Sequence, residues 1–483
     1  MPTLTKKHLL EKSPADARLF LLPEKVLQFG TGVLLRGLPD YLIDRANRQG
    51  VFDGRVVAVK STDAGAPAVF ERQDGLYTLC VRGIENGQEI SENVVCAVIS
   101  RVLSAKNQWG DVLAFAASTD LEIVISNTTE VGIQLVKEDV RQSPPTSFPG
   151  KLLAVLLARY RAFQGDISKG LVIVPTELLP ENGAKLKAIV LELAQFNSLE
   201  PGFFDWLEKS CTFCNSLVDR IVPGKPNSET MTHLETELGY TDDLLAMAEP
   251  YHLWAIEGDE RVKSVLSFHQ TDPAVIIEPD IEIYRELKLR LLNGTHTLSC
   301  GLAHLAGFPT VGEAMRDPAM SSFIEKLMLD EIAPAIPYPL PEGAAERFGQ
   351  QVLDRFRNPF VEHKWLSITV QFSSKMKMRT VPVLLEHYRQ RKDVPQHFAL
   401  GYAAFLAFYH NPDYPVQDDH AAYFFEKWKT NLPSDLPKAV LSDKEFWGEN
   451  LAALPGFAEQ VTDFLLEILE KGAAEVLKNA FKK

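Results

Sequence analysis

Short apolar runs rich in β-branched residues alternate with helical stretches through the first half of this chain, and the alternation stops near residue 280. The runs are VLQF (26–29), RVVAVK (55–60), LEIVIS (121–126) and LVIVP (171–175), each continuous enough to be a strand buried on both faces. Helical spacing predicts helices from Leu34 to Arg48 and over KLLAVLLARYRAF (151–163). Strand, helix and strand repeated in this way point to a parallel α/β sheet. LYTLCVRG and GQEI, joined through Glu85-Asn86-Gly87, carry the Asn-Gly signal of a β-hairpin.

Beyond about residue 280 the texture is helical: IYRELKLRLLNGTHTLSCGLAHLAGF, SSFIEKLMLDEIAPAI, LEHYRQRK, FALGYAAFLAFYH and FAEQVTDFLLEILEKGAAEVLKNAF. The expected fold class is therefore an α/β domain with a parallel sheet, followed by an all-helical domain, joined near 275–285. No internal repeat or low-complexity linker separates them. A direct join implies packed domains, with substrate expected in the cleft between them.

Composition narrows the function classes. The 483 residues are 46% hydrophobic and 24% charged, as in an ordinary globular protein. Fifty Lys and Arg against 64 Asp and Glu give a net charge of −14, which disfavours nucleic-acid binding. The longest uncharged stretches, 291–308 and 398–409, do not predict a membrane span, and MPTLTKKHLLEKSPADARLF lacks the apolar core of a signal peptide. The cytoplasm is the expected compartment. Five cysteines argue against a disulfide framework, and the lone C-x-x-C of Cys211 and Cys214 reads as buried small hydrophobes. His252, His269, His304 and His363 show no metal-ligand spacing, so no metal is expected.

The segment Gly30-Thr31-Gly32-Val33-Leu34-Leu35-Arg36 follows the first strand and opens a helix. Glycines there permit a tight turn and close approach of the backbone to a pyrophosphate. Leu35 stands where the usual fingerprint has its third glycine, so the alternative is a strand-to-helix turn with no ligand. The second strand ends Lys60-Ser61-Thr62-Asp63. Asp63 would suit the ribose of NAD and Lys60 the 2′-phosphate of NADP, and spacing leaves that choice open.

In KLRLLNGTH, Lys288, Asn293 and His296 share one side of an α-helix, with Asn293 at about 140° and His296 at about 80° from Lys288. Apolar neighbours Leu287, Leu291, Leu292, Leu298 and Leu302 imply that the three are buried. Burial would lower the lysine's pKa and make it a usable general base, with Asn293 donating to an alkoxide-like oxygen. The competing reading is a helix kinked at Asn293-Gly294, with Lys288 snorkelling to water. SSKMKMR (373–379) places Lys375, Lys377 and Arg379 shortly after RFRNP (355–359). It is either a solvated basic face or a clamp for a carboxylate. SNTTEVG (126–132) could lie over a cofactor, and the Asp219-Arg220 pair of NSLVDRIVPG (215–224) is more often structural than catalytic.

Together these pieces resemble the polyol-specific long-chain dehydrogenase/reductase family, which includes mannitol dehydrogenase, fructuronate reductase and tagaturonate reductase. The specific match is K-x4-N-x2-H at Lys288, Asn293 and His296, supported in order by QFGTGVLLRG, QDGLYT, SNTTEVG, NSLVDRIVPG, RFRNP, SSK and YPVQDD (414–419). QFGTGVLLR, SNTTE, PTELL and YPVQDD look closest to the branch that reduces tagaturonate. The resemblance implies a Rossmann-type dinucleotide-binding domain over 1–280 and a helical substrate and catalytic domain over 281–483. It implies NAD as cofactor, held by Phe29, Gly30, Gly32, Val33, Arg36, Asn127, Thr128 and Glu130. Lys288 would be the acid/base, Asn293 would polarise the substrate oxygen and His296 would contact substrate. Asp219, Lys375 and Arg379 would bind a sugar acid.

One departure separates the chain from mannitol dehydrogenases. Their C-D-N type segment after the strand equivalent to LVIVP is Thr176-Glu177-Leu178 here, so the second amide is missing. The implied reaction is hydride transfer between NAD(H) and the pair D-tagaturonate and D-altronate, in hexuronate catabolism. Fructuronate or mannitol chemistry is the alternative within the family. A dinucleotide sensor or a methyltransferase using the same glycine turn is the alternative outside it. The implied assembly is a monomer or a small homo-oligomer.

Overall fold

The structure is a computed structural model, and it describes residues 1–60, 68–128, 132–411, 414 and 416–481. The chain forms two compact units, one of Met1–Arg82 and Ile90–Ile281, the other of Gly83–Glu89 and Glu282–Lys483. The strands are β1 (Glu24–Phe29), β2 (Arg55–Lys60), β3 (Tyr77–Glu85), β4 (Gln88–Cys96), β5 (Ile99–Ser104), β6 (Ile123–Ser126), β7 (Val172–Pro175), β8 (Thr212–Phe213), β9 (Ser216–Asp219), β10 (Ala246–Ala248), β11 (Leu253–Glu257) and β12 (Val275–Glu278).

Six of them make one sheet in the order β5-β2-β1-β6-β7-β8, parallel throughout. Renumbered within the sheet this is 3-2-1-4-5-6, the doubly wound order of dinucleotide-binding folds. Alternate residues supply the two faces. Val26, Val56, Ala58, Ile123, Ile125, Val172 and Val174 join one core. Leu27, Phe29, Val57, Val59, Val124 and Ile173 join the other, beneath the helices Trp109–Ala116, Phe148–Ala162 and Asn182–Phe196. Burial on both faces is why these strands read as continuous apolar runs rather than as alternating ones. Phe29 pairs with Val59 on one side and with Ser126 on the other, so the chain leaves the sheet there at the point where strand order reverses. Ligands of open α/β sheets bind at that switch point.

Two features of the first unit go beyond what was expected. The helix expected from Leu34 to Arg48 is two helices, Val33–Gly37 and Pro39–Arg48, broken at Leu38 (φ −136°, ψ −79°). The pyrrolidine ring of Pro39 excludes the residue before it from the helical region. Two further small sheets, β10-β3-β4 and β12-β11-β9, lie outside the main one. The expected hairpin is β3-β4, turning on Asn86 (φ +53°) and Gly87 (φ +73°).

Apart from the hairpin tip Gly83–Glu89, the second unit is helical, and over Glu282–Lys483 the only strand-type pairing among the described residues is the isolated bridge Thr310–Lys364. Gln396–Phe408 is buried from His397 onwards, as expected of a helix apolar on every side. It packs on Phe457–Lys471 and on Thr295–Leu305. Glycines set the second contact: a Cβ at Gly401 would lie 2.8 Å from the Leu298 carbonyl oxygen, and one at Gly301 would lie 3.2 Å from that of Ala404. The two long uncharged stretches of the sequence are thus the two central helices of this unit. No helix among the described residues is long and apolar enough to cross a membrane.

Candidate active site

Gly30 ends β1 with φ +125°, a conformation open to glycine and strained for other residues. A Cβ there would lie 2.8 Å from Leu35 Cδ1 and 3.0 Å from the Asn127 carbonyl oxygen. Leu35 therefore occupies the space beside Gly30, which explains why a third glycine is not needed at 35. Gly32 faces open space, with φ −65°. Phe29 is a core residue, edge-on to Phe148 at 5.2 Å. Val33 is half-buried and begins the next helix. Arg36 turns inward: its guanidinium lies over Tyr77 and donates to the Leu244 carbonyl, so it braces the turn from below.

The ends of β6 and β7 interlock beside Gly30. Asn127 Nδ2 donates to Thr176 Oγ1 (3.0 Å) and to the Thr176 carbonyl (3.1 Å). The buried Glu177 carboxylate accepts from the Thr128 backbone N–H (2.8 Å), Thr128 Oγ1 (2.9 Å) and Ser126 Oγ (3.1 Å). The Thr-Glu-Leu segment thus positions the Asn127-Thr128 loop, a role that reasoning from the sequence missed. Glu130, Asp63, Ser61 and Thr62 lie outside the described residues. Asp219 is buried at the end of β9, and Arg220 ties Glu249 and Gly37 through their carbonyls.

In the second unit the backbone of Lys288–Gly294 is a π-helix between two α-helical segments, Glu282–Leu287 and Thr295–Leu305. The α-helical spacing used above does not hold there. A π-turn repeats on i to i+5, so Lys288 and Asn293, five apart, lie one above the other. This brings them closer together than an α-helix would. Burial differs from expectation too: His296 is buried, whereas Lys288 and Asn293 are half-buried. The Asn293 side chain makes no hydrogen bond to the described residues, and its carbonyl accepts from Thr297 Oγ1 at 2.8 Å.

The helix Phe372–Gln390 packs against the π-turn. Lys375 and Arg379, four residues apart, share its inner side, while Lys377 is exposed. Arg379 Nη1 donates to Thr297 Oγ1 (3.1 Å) and to the Asn293 carbonyl (3.4 Å), which ties the clamp candidate directly to the motif. Its Nε is buried without a partner among the described residues, and burial pushes the guanidinium down to about 10. Lys375 Nζ donates to the Ile368 carbonyl (3.1 Å), and burial followed by the charge of Arg379 lowers its pKa.

His296 stacks on Phe356 with ring centroids 4.1 Å apart and meets His363 edge-on at 5.0 Å. Burial, then His363 and the cations Arg355, Arg379 and Lys375, hold it well below the usual histidine range, so it is neutral. Its Nε2 is buried and has no hydrogen-bond partner among the described residues. Phe356, Arg355 and His363 come from the RFRNP segment and just beyond it, which carried no assigned role. The proximity of that segment to KLRLLNGTH in the fold is what the sequence could not show.

Two orphaned buried nitrogens, on His296 and on Arg379, thus stand among several cations, and no carboxylate pairs with Lys375 or Arg379 among the described residues. Such a cluster is costly until an anion with hydrogen-bond acceptors enters it. No group of His, Cys, Asp and Glu among the described residues could hold a metal. Cys211 and Cys214 are buried, and burial raises their thiols to about 11 and about 12, as fits the reading of small hydrophobes.

Both halves of the chain match known domains. The mannitol dehydrogenase Rossmann domain matches residues 24–269, and the mannitol dehydrogenase C-terminal domain matches 280–469. The chain belongs to the mannitol dehydrogenase family and is a dehydrogenase, as the ordered motifs implied. Within that family it is 38% identical over 465 residues to an altronate oxidoreductase of Yersinia pestis, covering 93% of this chain and 95% of the relative. It is also 38% identical over 461 residues to an altronate oxidoreductase of Bacillus subtilis, covering 94% and 95%. The fold is shared with mannitol 2-dehydrogenase of Pseudomonas fluorescens, solved with NAD and D-mannitol (TM-score 0.69, 22% identity, 100% of both chains). It is shared as well with a D-sorbitol dehydrogenase solved without substrate (TM-score 0.77, 20% identity, 99% of this chain and 100% of that one).

Proposed function

We propose that the chain interconverts D-tagaturonate and D-altronate with NAD(H), and so serves hexuronate breakdown. The observation that carries this reading is the pair of orphaned buried nitrogens, Arg379 Nε and His296 Nε2, beside Lys375 and the Lys-Asn-His motif. A neutral polyol would bring no carboxylate to Arg379 and Lys375, whereas a hexuronate does. The altronate oxidoreductases at 38% identity support the same substrate class.

NAD(H) fits the first unit, because the Gly30 position admits no side chain, the chain leaves the sheet at its switch point there, and Gly32 is open. Bound NADH would supply the hydride to the ketone carbon. Gly30, Gly32 and the braced Asn127-Thr128 loop would hold the cofactor, with Phe29 and Arg36 supporting the turn. In reduction the Lys288 ammonium gives its proton to the ketone oxygen, and in oxidation the free amine takes it back. The unpartnered Asn293 carboxamide donates to the same oxygen while its negative charge develops. Neutral His296 supplies a hydrogen bond without adding charge. Lys375 and Arg379 orient the carboxylate, and Asp219 is a further candidate contact to substrate.

Lys288→Ala tests the assignment. Turnover of tagaturonate should fall by roughly 10²- to 10⁴-fold, the range for loss of a general acid/base, while the NADH dissociation constant stays within about twofold. Parallel loss of both would make Lys288 a structural residue.

A further inference from the structure

Beneath the glycine turn lies a buried polar chain that the proposed reaction does not use. Gln28, the penultimate residue of β1, spends its amide nitrogen on two acceptors: Nε2 donates to the Gly30 carbonyl at 3.3 Å and to Asp40 Oδ2 at 3.2 Å. Both side chains are fully buried. Asp40 Oδ1 and Gln28 Oε1 have no hydrogen-bond partner among the described residues. A buried carboxylate is usually stable only with several donors around it, and among the described residues the one direct donor is a neutral amide.

Groups facing Asp40 come from each neighbouring element. Arg36 lies on the helix Val33–Gly37 and favours the ionised form, whereas Asp44, one turn further along the helix Pro39–Arg48, opposes it. Tyr77 on β3 and Cys96 on β4 are kept neutral by burial. Burial dominates and brings the Asp40 carboxyl up to about 7. Near neutral pH the group is therefore divided between two states, and each makes a different demand on Gln28. The carboxylate accepts, which matches the Nε2 contact seen here. The acid donates, and its matching partner is Gln28 Oε1. Meeting it requires the amide to turn over, and Nε2 then leaves the Gly30 carbonyl.

We propose that Gln28 and Asp40 are positioning residues for the dinucleotide turn: ionised Asp40, acting through the Gln28 amide, fixes the Gly30 carbonyl in the geometry that binds nucleotide. The proposal rests on the reading of Gly30 as part of the NAD site, and it assigns neither residue a contact with cofactor. Its sign is fixed: affinity is full where Asp40 is ionised and declines as pH falls through its titration.

The test is fluorescence titration of the full chain with NADH from about pH 8 to about pH 6. Loss of one buried hydrogen bond predicts wild-type binding weaker by roughly three- to tenfold at the acid end. Asp40→Asn removes the titrating group, so its NADH affinity should not change with pH over this range. Gln28→Met should bind at the weaker level throughout. A flat wild-type profile overturns the proposal whether or not the variants fold, as does an Asp40→Asn profile with the wild-type slope. Failure of wild type to bind NADH at any pH overturns the dinucleotide reading itself, an outcome separable from a flat profile.

Discussion

The loop at the end of the sheet and the pocket around His296 treat their polar groups in opposite ways. Across the ends of β6 and β7, donors and acceptors are matched to one another, Asn127 with Thr176 and Thr128 with Glu177, whereas the Gln28-Asp40 pair beneath Gly30 keeps oxygens unpartnered among the described residues. The Asn127-Thr128 loop is complete before any ligand arrives, which suits a site whose task is to offer a fixed backbone to a large cofactor. Around His296, Arg379 and Lys375 the match is missing, and buried nitrogens are left over among like charges. That arrangement suits an anion with hydrogen-bond acceptors. On the proposed reading, one unit is a preformed rest for the cofactor and the other a recognition site for an anionic substrate.

The sharpest way to break this comparison is Arg379→Ala. Losing a charge-assisted hydrogen bond should raise KM for tagaturonate by roughly 10- to 100-fold and leave a neutral ketose such as fructose little changed. Because Arg379 also ties Thr297, Thr297→Val serves as control: it removes the tie and keeps the charge, so it should leave the preference for tagaturonate intact. Equal loss on both substrates would move Arg379 from recognition to scaffolding.

The cofactor side is sharpened by Gly30→Ala. An added methyl meets Leu35 and the Asn127 carbonyl in a strained conformation, so the NADH dissociation constant should rise about tenfold, with stability lower by about 1–3 kcal/mol. Unchanged NADH binding would remove Gly30 from the site.

The smallest expected effect is on pH stability. His296 has a folded pKa below its unfolded value of about 6.5, so the unfolded chain binds more protons in the interval between them. Its contribution is intact above that value and is lost as pH falls toward the folded pKa. His304 and His363 act with the same sign. Melting temperature should decline as pH drops below about 6.5, and less steeply in His296→Gln. An identical slope in that variant would assign the decline to other groups.

The fold was legible where local chemistry determines it. Continuous apolar runs marked the strands of a sheet covered on both faces, and Asn86-Gly87 marked the hairpin of a separate small sheet. The break at Leu38 was also written in the sequence, in Pro39, but helical periodicity outweighed it. The π-turn was not legible, because the residues of KLRLLNG suit an α-helix equally well and the choice is made by packing. For that reason the angle between Lys288 and Asn293 was overestimated. Arg36 showed how a motif position can face inward, since its guanidinium serves Leu244 and Tyr77. The pocket depends on segments about 60 residues apart in sequence, RFRNP and KLRLLNGTH, so its neutral histidine and orphaned nitrogens could emerge only from the fold.

The central claim is that this dehydrogenase takes a sugar acid and not a neutral sugar. The direct measurement is NADH consumption by the wild-type protein, followed at the nicotinamide absorbance band, with tagaturonate, fructuronate and fructose in parallel. The account predicts the highest kcat/KM for tagaturonate, with fructose lower by about two orders of magnitude or more, as expected when a charged partner is missing from a buried site. Fructose turned over as efficiently as tagaturonate would contradict it.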